Sequence, residues 1–181
     1  MTGKALLDAE KAHLSQLLEA IERCVYFLDA TTQKLPFPLQ GETLEIKKKE
    51  LALFESLSSF NERFAKLQDT LASAMRHTYL LMGENSDHFL KILAFFEKHD
   101  IIESIEIWQQ LRTARNLAAH DYETSYYQMA DHFNTLRELT ARLYQISGNL
   151  IAFCHSELNI HPTSNDFSME CFEIVSRKYA L

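Results

Sequence analysis

Apolar residues recur at every third or fourth position along most of the chain, which is the spacing of one face of an α-helix. The first such stretch covers about residues 5–28, with apolar side chains at Leu14, Leu17, Leu18, Ile21, Val25 and Leu28. A longer helix is predicted over about residues 42–82, after a loop with Pro36, Pro38 and Gly41. Proline cannot continue a helix, so this loop separates the two helices.

Two shorter helices are predicted next. Gly83 is expected to end the long helix, because the left-handed position after a helix favours glycine. Asn85 or Ser86 is expected to cap the following helix, which fades at residues 99–100. Another helix is predicted to begin near Ser104, and its buried side contains Ile105, Trp108 and Leu111.

The C-terminal part of the chain predicts one more long helix and a short one. Thr124 or Ser125 is expected to cap the long helix, which extends to about Cys154. A tail over residues 159–181 follows, with a short helix predicted around residues 169–178. The predicted fold is therefore all-α: an antiparallel up-down four-helix bundle over residues 1–158, with short additional helices.

Composition supports one helical domain. The chain has 181 residues, of which 46% are hydrophobic, and this is enough for one substantial core. It contains four glycines, three prolines and only two valines, Val25 and Val175. Sheets favour β-branched residues and frequent turns need glycine and proline, so a β-rich fold is disfavoured.

Charge and cysteine usage limit the classes of function. Eighteen basic and twenty-five acidic residues give a net charge of −7, which disfavours a protein that coats nucleic acid. Any contact with RNA therefore needs a local basic patch. The cysteines, Cys24, Cys154 and Cys171, lack metal-ligand spacing and are predicted to be reduced thiols of a cytoplasmic protein. The longest apolar run, residues 92–96, is too short to span a membrane, and no signal peptide is predicted.

The segment from Arg115 to Tyr122 concentrates reactive side chains at the end of the predicted helix that contains Trp108. Arg115 and Tyr122 are seven residues apart and share a helix face, as do Asn116 and His120 at a spacing of four. Arg115 and His120 are separated by about 140° on an ideal helix. They can converge if the helix bends near His120, or if a second subunit supplies one of them.

Two interpretations of this segment remain open from the residues alone. In the structural one, Arg115 pairs with a nearby carboxylate, His120 ends a helix favourably and Tyr122 is a half-buried aromatic residue. In the catalytic one, His120 transfers protons, Arg115 holds a phosphate and Asn116 orients either group. These roles suit metal-free RNA cleavage, in which the ribose 2′-hydroxyl attacks the adjacent phosphate. No carboxylate cluster or glycine-rich loop indicates a metal or a nucleotide cofactor.

The pattern Arg-Asn-x-x-x-His-x-Tyr is formed by Arg115, Asn116, His120 and Tyr122. It resembles the motif of HEPN-domain proteins of the HepT type, which are toxin-like partners of minimal nucleotidyltransferases. An arginine followed by a histidine at this spacing also occurs by chance. The adjacent asparagine, the tyrosine and the helical context make the pattern moderately specific.

The surroundings of the motif are also similar to that family. Residues 64–71 resemble its long second helix, and Trp108 precedes the arginine at the distance usual in the group. The resemblance covers roughly residues 60–146. The first predicted helix fits it loosely, and the tail after residue 159 has no counterpart in it.

The resemblance implies a helical bundle that forms a homodimer with a shared cleft. It implies a toxin with endoribonuclease activity, with Arg115 and His120 as the catalytic pair and tRNA among the candidate substrates. Tyr122 is the implied hydroxyl that a cognate nucleotidyltransferase antitoxin modifies with AMP. The added charge and bulk beside Arg115 would oppose the binding of an RNA phosphate.

The charge near the motif is a difficulty for this interpretation. Residues 101–125 contain two arginines, Arg112 and Arg115, and four acids, a balance of 2 − 4 = −2. An RNA cleft therefore needs further cations, for which Arg63 and Lys66 are candidates, although solvated surface is the simpler role for both. Two alternatives to a ribonuclease remain: a non-catalytic partner or substrate-binding subunit of a nucleotidyltransferase, and a dimeric scaffold.

Overall fold

The computed structural model of the protein describes residues 3–85, 87–117 and 125–177. These residues form seven helices: α1 (Gly3–Thr32), α2 (Gly41–Ile46), α3 (Leu51–Leu81), α4 (Phe89–Lys98), α5 (Ile105–Leu117), α6 (Tyr126–Leu158) and α7 (Ser168–Val175). No strand occurs in the described residues, which confirms the predicted all-α bundle. Within the same residues, no helix is both long enough and apolar enough to cross a membrane.

Helix α1 packs along α3 in the opposite direction. At one end, the Arg63 guanidinium of α3 donates to the Thr31 hydroxyl of α1. At the other end, His77 Nδ1 of α3 lies 2.9 Å from Glu10 Oε2 of α1. Between these contacts the interface is a continuous apolar stripe, in which Leu18 and Leu67 are completely buried. The periodicity of three and four in both segments therefore builds the centre of the core.

Helix α6 runs in the same direction as α3. The rings of Phe60 and Phe133 are 6.2 Å apart near the start of the two helices. Thr78 Oγ1 and Cys154 Sγ are 3.3 Å apart near their ends. The short helices α4 and α5 return the chain from the end of α3 to the start of α6. Helix α5 begins beside the middle of α6, and only residues 118–125 separate its end from the start of α6. The order is therefore up-down-up-down.

The predicted long helix over residues 42–82 is wrong in one respect, because it is two helices separated by a turn at residues 47–50. Helix α2 packs against α6, whereas α3 packs mainly against α1. Gly41 permits the contact with α6, since a Cβ atom at this position would lie 2.6 Å from the Tyr127 backbone and ring. The three lysines of the turn are exposed.

The helix ends agree with several predictions. Gly83 has a φ of +83°, the left-handed conformation expected after α3. The Ser104 hydroxyl accepts the Ile107 N–H at 3.2 Å and caps α5. Ser125 is the N-cap residue of α6 but makes no side-chain cap bond, and His88, not Asn85, is the N-cap residue of α4. Ser86 and Thr124 lie outside the described residues.

The short helix predicted near the C-terminus is confirmed as α7, which packs against α1 and α6. Cys171 and Ile174 of this helix are buried in the same core as the bundle. Arg177 donates two hydrogen bonds of 2.9 Å to the Asp29 carboxylate of α1. Residues 160–177 therefore add to the bundle core from one side.

Candidate functional site at the end of α5

Helix α5 is fixed to the bundle by its tryptophan. Trp108 is 3% exposed, and its ring lies 5.9 Å from that of Phe89 in α4. The Arg76 guanidinium of α3 lies over the same Phe89 ring, 4.3 Å from its centre. This stack joins α3, α4 and α5, and it holds the end of α5 beside α3.

Arg115 lies in the last turn of α5, and its guanidinium Nη1 pairs with the Asp69 carboxylate of α3. The Arg115 side chain is 33% exposed and the Asp69 side chain is 55% exposed. A guanidinium has five N–H donors in a planar fork, and one of them is used here. Arg115 is therefore oriented by the bundle and can still donate to an external anion such as a phosphate.

Two further arginines lie on the same seam between α3 and α5. Arg112 is exposed and precedes Arg115 by three residues, so the two share one side of α5. Arg76 is exposed and follows Asp69 by seven residues, so it shares that face of α3. The seam thus carries a small cationic surface in an acidic protein, with Asp69 as a local counter-charge.

Helix α3 has buried amide atoms at Gln68, the residue before Asp69, and at Asn61. Gln68 is 3% exposed, and neither its oxygen nor its nitrogen has a hydrogen-bond partner among the described residues. The Asn61 side-chain oxygen is also buried and has no hydrogen-bond partner among the described residues. These residues are seven apart and share a face of α3. A buried amide usually has a partner, so this face of α3 carries polar atoms that the described residues leave without a hydrogen bond.

The other predicted site residues are distributed as follows. Asn116 is exposed at the end of α5. Arg63 lies on the α1 side of α3, where it donates to the Phe27 carbonyl at 3.2 Å. Lys66 is exposed, one turn before Asp69. The RNA-binding roles of Arg63, Lys66 and Arg112 stay predictions.

His120 and Tyr122 lie outside the described residues, so their distance from Arg115 is not part of the geometry. The structure therefore brings Arg115 and Asn116 to one helix end and adds Asp69, which the sequence pattern did not identify as a partner. An exposed acid on the polar side of a long helix gives no periodic signal. Only its position relative to α5 identifies it.

The cysteines are not candidate nucleophiles. All three are free, and Cys154 and Cys171 are buried, which agrees with the predicted reduced thiols. Burial raises the pKa of Cys154 to about 11 and that of Cys171 to about 12. Burial also raises the pKa of Cys24. Since the thiolate is the reactive form, these thiols are poor nucleophiles near neutral pH. Among the described residues, no group of three His, Cys, Asp or Glu side chains is arranged to hold a metal.

A groove of about 910 Å³ lies between α5 and α6. Its described lining residues are Ile105, Glu106, Gln109, Gln110, Thr113, Ala114, Gln128, Met129, Asp131, His132, Phe133, Thr135, Glu138 and Leu139. Thr113 lines the groove, while Arg115, two residues later, is about 160° away around the helix axis. Arg115 and the groove therefore lie on opposite sides of α5.

The fold and the site define an all-helical bundle protein with an oriented, partly exposed arginine at the end of a short helix. Comparisons with known protein families, with curated proteins and with solved structures give no match.

Proposed function

We propose that this protein is a HepT-like toxin of a HEPN/minimal-nucleotidyltransferase pair, acting as a metal-independent endoribonuclease of the bacterial cytoplasm. The observation that supports the proposal most is the state of Arg115. This arginine of the motif has a guanidinium that Asp69 orients, and its side chain is still one-third exposed. A buried arginine could not reach an RNA phosphate, and a mobile one would lose entropy on binding.

In the proposed reaction, Arg115 donates hydrogen bonds to the non-bridging oxygens of the scissile phosphate. The ribose 2′-oxygen forms a bond to phosphorus while the bond from phosphorus to the 5′-oxygen breaks. His120 moves the protons: one leaves the 2′-hydroxyl, and one is supplied to the departing 5′-oxygen. The products are a 2′,3′-cyclic phosphate and a 5′-hydroxyl. Asn116 orients the phosphate or His120.

The proposal includes a homodimer whose motifs face a shared cleft, and a cognate nucleotidyltransferase that transfers AMP to Tyr122. A dimer would allow Arg115 of one subunit to meet His120 of the other, which a single straight helix does not. The Arg112 side of the seam supplies positive charge at the cleft. RNA, with tRNA as one candidate, is the substrate.

A second candidate function is a non-catalytic helical partner or substrate-binding subunit of a nucleotidyltransferase. The ion pair between Arg115 and Asp69 favours this second function. Asp69 already accepts a hydrogen bond from the Arg115 guanidinium, and its carboxylate lies where an RNA phosphate would approach. The motif would then be recognised by the nucleotidyltransferase without cleaving RNA.

The two candidates differ in what happens when the protein is expressed in a bacterial host. Wild-type protein is expected to arrest growth and fragment RNA, visible on a gel of total RNA, whereas His120→Ala is expected to do neither. His161→Ala, a histidine outside the motif and exposed to solvent, is the matched control and should behave as wild type. Normal growth and intact RNA with soluble wild-type protein would favour the binding partner.

The modification of Tyr122 is tested with the cognate nucleotidyltransferase and ATP. Mass spectrometry is expected to find an AMP adduct on the wild-type protein and none on Tyr122→Phe. Tyr127→Phe is the matched control, because Tyr127 is close in sequence and 58% exposed. An adduct that persists in Tyr122→Phe would refute the assignment of the acceptor.

A further inference from the structure

The groove between α5 and α6 has an apolar floor. Phe133 is completely buried, and Ala114 and Met129 are 6% and 8% exposed. Ile105 and Leu139 are partly buried and extend this floor. Ile105 and Leu139 still expose apolar area, and a second apolar surface that covers it gains free energy by removing this area from water.

The groove has an acidic rim. Glu106 of α5 and Asp131 and Glu138 of α6 line it and are exposed. None of these carboxylates forms an ion pair with a residue that the structure describes, and none of the described lining residues is a lysine or an arginine. Among the lining residues that the structure describes, the rim therefore has three carboxylates and no lysine or arginine, which favours a cationic occupant.

The dimensions of the groove suit a short helix. On α5 the lining extends over residues 105–114 and on α6 over residues 128–139. These spans correspond to about 14 Å and about 16 Å at 1.5 Å per residue, or roughly three turns of a docked helix. An amphipathic helix that places its apolar side between two helices is a common mode of peptide recognition.

We propose that this groove binds a basic amphipathic helix of a partner protein. Apolar side chains of that helix, at spacings of three and four residues, cover Ile105 and Leu139. Its flanking lysines or arginines pair with Glu106 and Asp131. A second copy of this chain is a poorer occupant, because its net charge is also −7. The proposal is independent of the ribonuclease, since Arg115 is on the other side of α5.

The probe for this proposal is a fluorescein-labelled helical peptide of about 14 residues, with leucines on one face and lysines on the other. Its twin contains glutamate in place of every lysine. Fluorescence anisotropy with the full chain is expected to show binding of the lysine peptide that weakens as salt is added, and no binding of the glutamate peptide.

Two variants of the groove test its role. The double reversal E106K/D131K is expected to weaken binding of the lysine peptide by about tenfold or more, because attraction becomes repulsion. T135W, which fills the groove from an exposed position on α6, is expected to weaken it similarly. The matched control is E55K/E173K, which makes the same change in net charge at exposed acids outside the groove and should bind as wild type.

Several results would overturn the proposal. They are equal binding of the two peptides, absence of binding by the lysine peptide, and unchanged affinity in both groove variants. Sedimentation velocity tests the other possible occupant of the groove, a second copy of the chain. If T135W dissociates a wild-type dimer and the peptide does not compete with that dimer, the groove is a contact between two copies of the chain.

Discussion

The two sides of α5 present opposite chemistry. One side carries Arg115 and packs along α3, where Asp69 pairs with Arg115. The other side carries Glu106 and faces the apolar floor of the groove along α6. Because successive residues are about 100° apart around a helix, a thirteen-residue helix can present two different surfaces. The comparison shows that the charges of α5 differ by direction, with Arg115 on one side and Glu106 on the other.

The largest expected effect comes from Trp108, which anchors α5 to the bundle and therefore holds both of its sides in place. Trp108→Ala is expected to lower the free energy of unfolding by about 3–5 kcal/mol, because it leaves a cavity between α4 and α5. Trp108→Phe should cost clearly less. Urea denaturation followed by circular dichroism measures this, since the chain has no other tryptophan for fluorescence. A loss below about 1 kcal/mol in Trp108→Ala would show that α5 is anchored in another way.

A more selective change separates the two sides by removing the partner of Arg115. Asp69→Asn is expected to lower kcat for RNA cleavage about tenfold, which corresponds to about 1.4 kcal/mol, because Arg115 is no longer oriented. KM is not expected to rise, since a carboxylate has been removed from the RNA-facing side. The matched control is Glu103→Gln, which breaks the similar ion pair with Arg142. Equal kcat values for wild type and Asp69→Asn would exclude a positioning role for Asp69.

A smaller effect is expected at the start of α5. Ser104→Ala removes the hydroxyl that accepts the Ile107 N–H and should cost about 1 kcal/mol of unfolding free energy. Neither the arginine side nor the acidic side is altered, so RNA cleavage and peptide binding should both remain at wild-type levels. A large change in either function would mean that the start of α5 does more than hold the helix.

The smallest expected effect is at Glu22, which is a buried acid, unlike the exposed acids of the groove. Glu22 of α1 is 4% exposed and accepts a hydrogen bond from the Ser168 hydroxyl at 2.9 Å. Burial raises its pKa from the ordinary value of 4.5, so the folded chain favours the neutral form. Stability from this group is complete below pH 4.5 and is lost as the pH rises through the raised pKa.

Glu22→Gln should therefore raise Tm at pH 7, and the difference from wild type should disappear as the pH falls below 4.5. Thermal denaturation over this pH range measures it. Glu106→Gln makes the same change of carboxylate to amide at an exposed position and is the matched control. A lower Tm of Glu22→Gln at pH 7 would show that the ionised carboxylate is stabilising.

The long helices could be predicted from the sequence because their burial follows a regular period, as with Phe60, Phe64, Leu67 and Leu71 of α3. The turn between α2 and α3 was missed. Leu44 is buried in α2, but a continuous helix would place it about 180° from Leu53, so the apolar pattern changes phase between the two helices. Helix caps were predictable where a side chain makes the bond, as at Ser104, and not where the backbone alone forms the end, as at His88.

The candidate site was predictable only in part. The pattern around Arg115 identified the segment and favoured a carboxylate partner for it, but Asp69 is 46 residues away and exposed. The groove also depends on the side-by-side packing of α5 and α6, and the acids of its rim look like ordinary solvated surface in each helix alone. Pairings between helices of this kind are set by tertiary packing, which a one-dimensional pattern does not contain.

The central claim is tested most directly by incubating the purified protein with total bacterial RNA in the presence of EDTA. The account predicts cleavage to products with 2′,3′-cyclic phosphate ends. It predicts a loss of about 100-fold or more in Arg115→Ala and in His120→Ala. Arg142→Ala, which removes another partly exposed arginine of an ion pair, should cleave as wild type. Absence of cleavage by folded wild-type protein, or full activity of Arg115→Ala, would contradict the account.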